Sequence, residues 1–443
     1  MKVFLAFAIN PNLDDIFALV QAAAAGYNTP MRFPPLPPKF HAANRAKLAK
    51  AIGPDAVAII DTADQLVRAG DFEYPYRPDS NFYYLTGISE PEATLVLIPG
   101  HRDPDLREIL IISGTDEFTG TWEGERHTDE EATKLSGIKA VMKRDDTRHF
   151  MNRLLEKYRT VYLNADETLD SVMPSPARRR TAELREKAPL HELKSVLPIL
   201  AKQRTIKDPV EIEQIKRAIT ATGAGLQKAW QVLKPGVKEY ALEAELSAEY
   251  LRRGAQGHAF SPIVASGKGT TVIHYMKNDA TVGDDDLVLF DTGAEVGWYA
   301  ADISRTVPAA GKFTDRQRAV YEAVYHAQQA ALAEHKPGAS IFSIDEFMRQ
   351  RLAESIKQIG LKEPLHTYYP HLSHHLGLDV HDTGEARAEL EPGMVVTCEP
   401  GLYLREEGIG VRIEDDILIT KDGYELLSKD IPSDPDKLEE LLK

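Results

Sequence analysis

LVLFDTGAEVGWYAADISRTV, residues 287–307, decides how this chain folds. Two runs rich in β-branched and aromatic residues flank a glycine, the pattern of an antiparallel hairpin. With the turn at Val296–Gly297, Asp291 faces Asp302 on one sheet face, their Cβ atoms roughly 4.5–5.5 Å apart. Two like charges so placed destabilise the sheet unless something compensates them. Asp291 also follows the apolar run LVLF, which keeps water from solvating it fully.

The chain repeats the arrangement. MVVTCEPGLYL (394–404) and GIGVRIEDDILIT (408–420) make a second hairpin, and a turn at Glu406–Glu407 sets Glu399 opposite Glu414. Each hairpin follows two segments of helical period: 208–233 and 238–254 before the first, 316–335 and 343–360 before the second. Asp208 is the expected N-cap of the first helix, with Pro209 at its first position. A single acid in a strand reads as a solvated turn residue. Two acid pairs at matching points of a duplication do not, because four converging carboxylates are prohibitively costly without cations. Two divalent ions balance four carboxylates, and a bridging hydroxide would complete the site. With one imidazole added, the mostly oxygen donor set favours Mn²⁺, Mg²⁺ or Co²⁺ over a thiolate-type zinc site. Two ions roughly 3.5–4 Å apart can share and activate one water, which is hydrolase chemistry.

HLSHHLGLDVHD, residues 371–382, packs four histidines and two aspartates into twelve positions. The residues alone leave open which imidazole grips a metal. At these motifs the chain resembles the pita-bread metallopeptidases of the aminopeptidase P and prolidase type, and the likeness runs over nearly the whole chain beyond residue 36. It implies a dinuclear centre, commonly manganese, held by Asp291, Asp302, one histidine, Glu399 and Glu414, with Asp302 and Glu414 bridging. In the family the ligand histidine precedes an LGLDVHD-like run, with a second histidine seven positions on. That spacing selects His374 as ligand and His381 as the residue that contacts the substrate carbonyl. His375 then packs, although a one-residue deletion before it keeps it open as an alternative ligand. His371, three before His374 rather than four, is a candidate for the pocket wall. In IVASGKGTTVIHY (263–275), His274 resembles the family histidine that reaches toward the substrate. GKGT is not a phosphate loop, since the earlier glycine is missing and Lys268 precedes glycine. Arg412, two before Glu414, shares its strand face and is expected to hold the metal carboxylates. Tyr403, four after Glu399, resembles a family tyrosine that supports the metal ligands, and reads equally as a core residue. Cys398 points away from Glu399 and reads as buried and apolar.

The resemblance implies an aminopeptidase that releases the N-terminal residue ahead of a proline, with Glu399 as proton shuttle and His381 and His274 as oxyanion donors. The nearest alternative is an Xaa-Pro dipeptidase (prolidase). A remote one is a non-catalytic peptide-binding module, which would have eroded ligands where this chain keeps all five. PDSNFYYLTGISEPEATLVLIPG (78–100) resembles the family's accessory domain, which helps close the active site, sometimes across a subunit interface, and so implies a homo-oligomer. Tyr83 is the candidate aromatic cap of the proline pocket.

The rest of the chain agrees. At 443 residues two domains are expected. Strand-like AVAIIDT, NFYYLTG, ATLVLIPG, EILIIS and TVYLNAD mix with helical segments, and the stretch 178–204 reads as a linker helix. The expected architecture is α/β followed by α+β: an N-terminal extension (1–35), a mixed α/β accessory domain with linker helix (36–200), and a pita-bread catalytic domain (201–443). A net charge of −15 argues against a nucleic-acid partner. One cysteine suits the cytoplasm. No apolar run approaches the roughly 20 residues that span a bilayer. KVFLAFAI has the outline of a signal peptide, but NPNLDD interrupts it and no cleavage site follows directly.

Overall fold

The computed structural model of the chain describes residues 34–115, 117–122, 124–165, 175–369 and 373–443. Residues 1–33, which make up most of the expected extension, and His371 lie outside them. Among the described residues no helix is long and apolar enough to cross a membrane.

The N-terminal half builds a six-stranded mixed sheet in the order Ala140–Lys143, Glu108–Ile112, Thr94–Leu97, Ala56–Asp61, Thr160–Leu163, Glu192–Ser195. The three central strands pair antiparallel and the outer ones join in parallel. Ala56–Asp61 is buried along its whole length because both faces are covered. Val57 and Ile59 enter one apolar cluster, and Ala58 and Ile60 the other.

Two elements differ from expectation. NFYYLTG is not a strand but the helix Ser80–Thr86. Its aromatic composition suits a strand, yet Asp79 Oδ1 accepts from Phe82 N at 2.8 Å and Gly87, at φ +71°, closes the other end. The stretch 178–204 is not one linker helix. It divides into the helix Pro176–Lys187, the strand Glu192–Ser195 and the helix Leu197–Thr205. Pro189 cannot continue the first helix, and the strand finds an open partner edge at Thr160–Leu163.

The C-terminal half carries the duplication. Helices Pro209–Val232 and Glu239–Arg252 precede the first hairpin, and Asp315–Leu332 and Ile341–Gln358 precede the second. Asp208 caps the first helix as expected: its side chain accepts from Val210 N at 3.1 Å, while Glu211 accepts from Asp208 N at 2.8 Å. Such a cap contributes about 1 kcal/mol.

The first hairpin turns one residue later than expected, at Gly297–Trp298, both with positive φ (60° and 68°). A tight turn that follows sheet twist needs positive φ at both central residues, which Val296 cannot supply. The register therefore moves by two, and Asp291 pairs with Ser304 rather than Asp302. A shift of two keeps every side chain on its own face. Between the two ladders of this hairpin, a Cβ on Gly293 would fall 1.7 Å from the Ala301 carbonyl oxygen, so only glycine lets the strands close there.

The second hairpin has the expected register. Gly401 pairs with Arg412 and Leu404 with Ile409, and the same register resumes beyond Pro400 with Cys398 opposite Asp415. The two hairpins then meet edge to edge: Glu414 N donates to Ser304 O at 3.1 Å, and Arg412 N to Thr306 Oγ1 at 3.1 Å. On the reverse face, fully buried Arg305 binds Asp415 at 2.6 Å and the Glu414 carbonyl at 2.6 Å. The acid-bearing strands are thereby locked to each other along that edge.

Candidate metal centre

Parity along these strands sends Asp291, Asp302, Glu399, Arg412 and Glu414 into one cavity of about 490 Å³, which His274, His374, His381 and Tyr403 also line. Its remaining wall includes Phe260, Ile263, Ile273, Met276 and Val380. One donor atom from each of Asp302, His374 and Glu414 lies within 4.8 Å of the others. His374 Nε2 stands 3.4 Å from Asp302 Oδ2 and 3.5 Å from Glu399 Oε1. Its other ring nitrogen, Nδ1, lies 3.0 Å from the His375 carbonyl oxygen. That bond places the proton on Nδ1 and leaves Nε2 as a lone-pair donor aimed at the carboxylates.

His375 faces elsewhere. Its backbone bridges to Asp382 and Val396, it is 3% exposed, and burial with Lys207 nearby pushes its imidazole down to about 4. Cys398 is also turned away, packed against Met348 in a separate apolar cluster. Tyr83 does not reach the cavity: it is 4% exposed and packs edge-on against Trp298 and His41, because the helix Ser80–Thr86 turns it into the core.

Electrostatically the cavity is under-compensated. Burial, then Asp291 beside it, pushes Asp302 well above the ordinary carboxylate range. Burial, then Glu414 and Asp302, does the same to Glu399, and burial, then Asp302 and Asp291, to Glu414. Arg412 is the one lysine or arginine among the described residues of the wall, set against four acids. It contacts Asp291, donates to Ser304 Oγ at 2.8 Å, and donates to Tyr403 Oη at 2.8 Å. Ser304 passes the contact on to Glu414 Oε2 at 2.7 Å. Asp302 Oδ1 is buried without a hydrogen-bond partner. Clustered acids, an orphaned carboxylate oxygen and a correctly tautomerised imidazole are what bound cations require, so the donor set fits divalent metal.

Three contributors escaped the sequence reading. Thr397 donates to Glu399 Oε1 at 3.0 Å and accepts from His374 N at 3.1 Å, so it orients both. Ser304 links Arg412 to Glu414, and buried Asp416 accepts from Asp302 N at 3.2 Å. Each stands two residues from a recognised acid, so strand parity alone was the available signal.

Comparison with known proteins agrees with this geometry. Residues 213–421 match metallopeptidase family M24, and residues 41–162 match the aminopeptidase P N-terminal domain. The Xaa-Pro aminopeptidase of Escherichia coli (strain K12) is 33% identical over 427 residues, covering 90% of this chain and 96% of its own. The chain belongs to metallopeptidase family M24. This M24 chain matches a Bacillus anthracis structure assigned to aminopeptidase P with a TM-score of 0.88 and 38% identity, over 92% of this chain and 98% of that one. It matches E. coli aminopeptidase P with the inhibitor Pro-Leu at a TM-score of 0.84 and 32% identity, with the same coverage. The accessory domain and catalytic domain expected from the sequence are those of M24 aminopeptidase P structures, and membership of the family implies divalent metal ions.

Proposed function

We propose that this protein is an Xaa-Pro aminopeptidase: it hydrolyses the bond between the first residue of a peptide and a proline in second position. The observation that carries this reading is the convergence of two acids from each hairpin with His374 in one cavity. Relatives covering about 90% of the chain are named Xaa-Pro aminopeptidase, which favours this activity over a dipeptidase. Asp291, Asp302, His374, Glu399 and Glu414 would hold two divalent ions, with Mn²⁺ best suited to a mostly oxygen donor set. When bound, such ions acidify water and stabilise negative charge in the transition state.

The chain's own residues do the rest. His381 and His274 donate to the oxygen of the scissile carbonyl as charge develops on it. Glu399 takes a proton and delivers it to the proline nitrogen as the bond breaks. Arg412 completes this catalytic set indirectly, by holding Asp291 and, through Ser304, Glu414 in place. Proline offers no amide N–H, so its ring must be read by shape, for which the apolar wall is suited. The division into domains at 36–200 and 201–443, the cytoplasmic location and a homo-oligomeric state belong to the same reading.

Chelation is the direct test. Removing metal abolishes activity on an Xaa-Pro-Xaa tripeptide, and Mn²⁺ or Co²⁺ restores it. A fully active enzyme with less than one equivalent of metal would sink the two-ion centre.

Substrate length follows from the cavity wall. A dipeptidase needs a cation to receive the free carboxylate beside proline. Among the described residues of the wall, the sole candidate, Arg412, is already committed to Asp291, Ser304 and Tyr403. Tripeptides are therefore expected to be cleaved with kcat/KM about tenfold or more above matching Xaa-Pro dipeptides, a difference of ~1.4 kcal/mol. A dipeptide preference in that comparison would make the protein a prolidase.

A further inference from the structure

A second cluster of buried charge lies next to the segment that carries His381. Asp382 directly follows His381, and its carboxylate takes Arg204 Nη2 at 2.5 Å and Lys207 Nζ at 3.1 Å. The three side chains are only 1–2% exposed. Arg204 also binds Asp379 Oδ2 at 2.7 Å and, from its other arm, Asn81 Oδ1 at 2.8 Å. Ser80 donates to Asp379 Oδ1 at 2.7 Å, and Arg77 donates to the Leu378 carbonyl at 2.5 Å. Side chains from 77–81 and from 204–207, far apart in sequence, thus converge on residues 376–382.

That segment needs an outside anchor. It is neither helix nor strand, and its backbone is tied by few bonds, among them Asp382 N to His375 O at 2.8 Å and Ala300 N to Gly377 O at 2.9 Å. A Cβ on Gly377 would fall 2.1 Å from Asp382 Oδ2, so backbone and carboxylate are already in close contact. A buried ion cluster is a poor source of net stability compared with apolar packing of equal volume. What it supplies is direction, because a guanidinium fork fixes the plane and distance of the carboxylates it grips. His381 projects into the cavity from this same backbone, its ring centroid 4.4 Å from that of His374.

We propose that Asp382, Arg204 and Lys207 are positioning residues for the hydrolysis: they fix the backbone of 376–382 and thereby aim His381 at the substrate carbonyl. The accessory half takes part through Ser80, Asn81 and Arg77. The inference rests on the reading of His381 as a transition-state donor, and the experiment separates the two.

The test is a double-mutant cycle on the metal-loaded enzyme with an Xaa-Pro-Xaa tripeptide. Asp382→Asn keeps the shape of the side chain and removes its charge. Its kcat falls by about tenfold to a hundredfold, the scale of a small misplacement of a catalytic group, while KM and metal content stay near parental values. In a His381→Ala background the same substitution changes kcat by less than about threefold, because the group it aims is gone. Arg204→Lys, which keeps the charge but loses the fork, shows the same dependence on His381 and serves as the second variant should Asp382→Asn not fold. An Asp382→Asn enzyme with parental kcat, or a loss that recurs in full without His381, overturns the proposal by making the cluster purely structural. A His381→Ala enzyme with parental kcat would sink the role of His381 itself, and the inference with it.

Discussion

Replacing His374 by alanine is expected to remove metal and activity together. His374 contributes the single nitrogen of the donor set, and its Nε2 lies within 3.5 Å of two of the acids. Alanine leaves the acids in place but takes away the donor whose lone pair is held outward by the Nδ1 contact to the His375 carbonyl. The expected loss in kcat/KM is about a thousandfold or more, ~4 kcal/mol of transition-state stabilisation, with metal content falling in the same preparation. The neighbouring substitution supplies the control. His375→Ala deletes a buried ring that faces away from the cavity, so it should cost stability and leave metal content intact. Melting temperature and metal analysis on both variants decide the matter. Loss of metal from His375→Ala but not His374→Ala would transfer the ligand role by one residue.

How much of this was legible in the sequence depends on which rule governed each element. The face of the sheet on which the acids sit was legible because side chains alternate with a period of two. The first hairpin slipped by two against the expected register, and Asp291 and Asp302 still meet in one cavity. A slip of one would have sent the pair to opposite faces. The exact turn was not legible, because Trp298 holds positive φ where its ring packs against Tyr83, a tertiary contact. In the helix Ser80–Thr86, local signals competed: aromatic composition spoke for a strand, while Asp79 and Gly87 marked a helix start and stop. The caps won, and they turned Tyr83 away from the pocket.

Other features lay beyond any local rule. The strand Glu192–Ser195 exists because a sheet edge is open beside it, and its alternation of exposed and half-buried residues is too short to read alone. Arg204 and Asp382 are 178 positions apart, and nothing in the residues around either names the other. The choice between His374 and His375 came from family spacing rather than physics. The backbone supplies the physical reason, since adjacent residues on an extended segment point opposite ways and only His374 lies on the cavity side.

Glu399→Gln separates the two tasks assigned to one side chain. The amide keeps the shape of the carboxylate and can still accept from Thr397, which stands 3.0 Å from Oε1. What it loses is charge toward the cations and the capacity to carry a proton. General acid–base assistance contributes about 10²–10⁴-fold, so kcat should fall by roughly a thousandfold while KM moves only a few-fold. Stability should respond with opposite sign in the two forms of the protein. Without metal, burial and the neighbouring acids Glu414 and Asp302 penalise the Glu399 carboxylate and raise its pKa. A group raised in this way costs the folded state stability above its unfolded pKa, so at neutral pH the neutral amide raises the melting temperature of the metal-free protein. With metal present the order reverses, because the amide is the poorer ligand and less binding energy adds to folding. Melting curves of both proteins, with and without Mn²⁺, together with kcat, test the assignment. A variant within tenfold of parental kcat would remove Glu399 from proton transfer, and a melting temperature lowered equally in both forms would remove it from the metal.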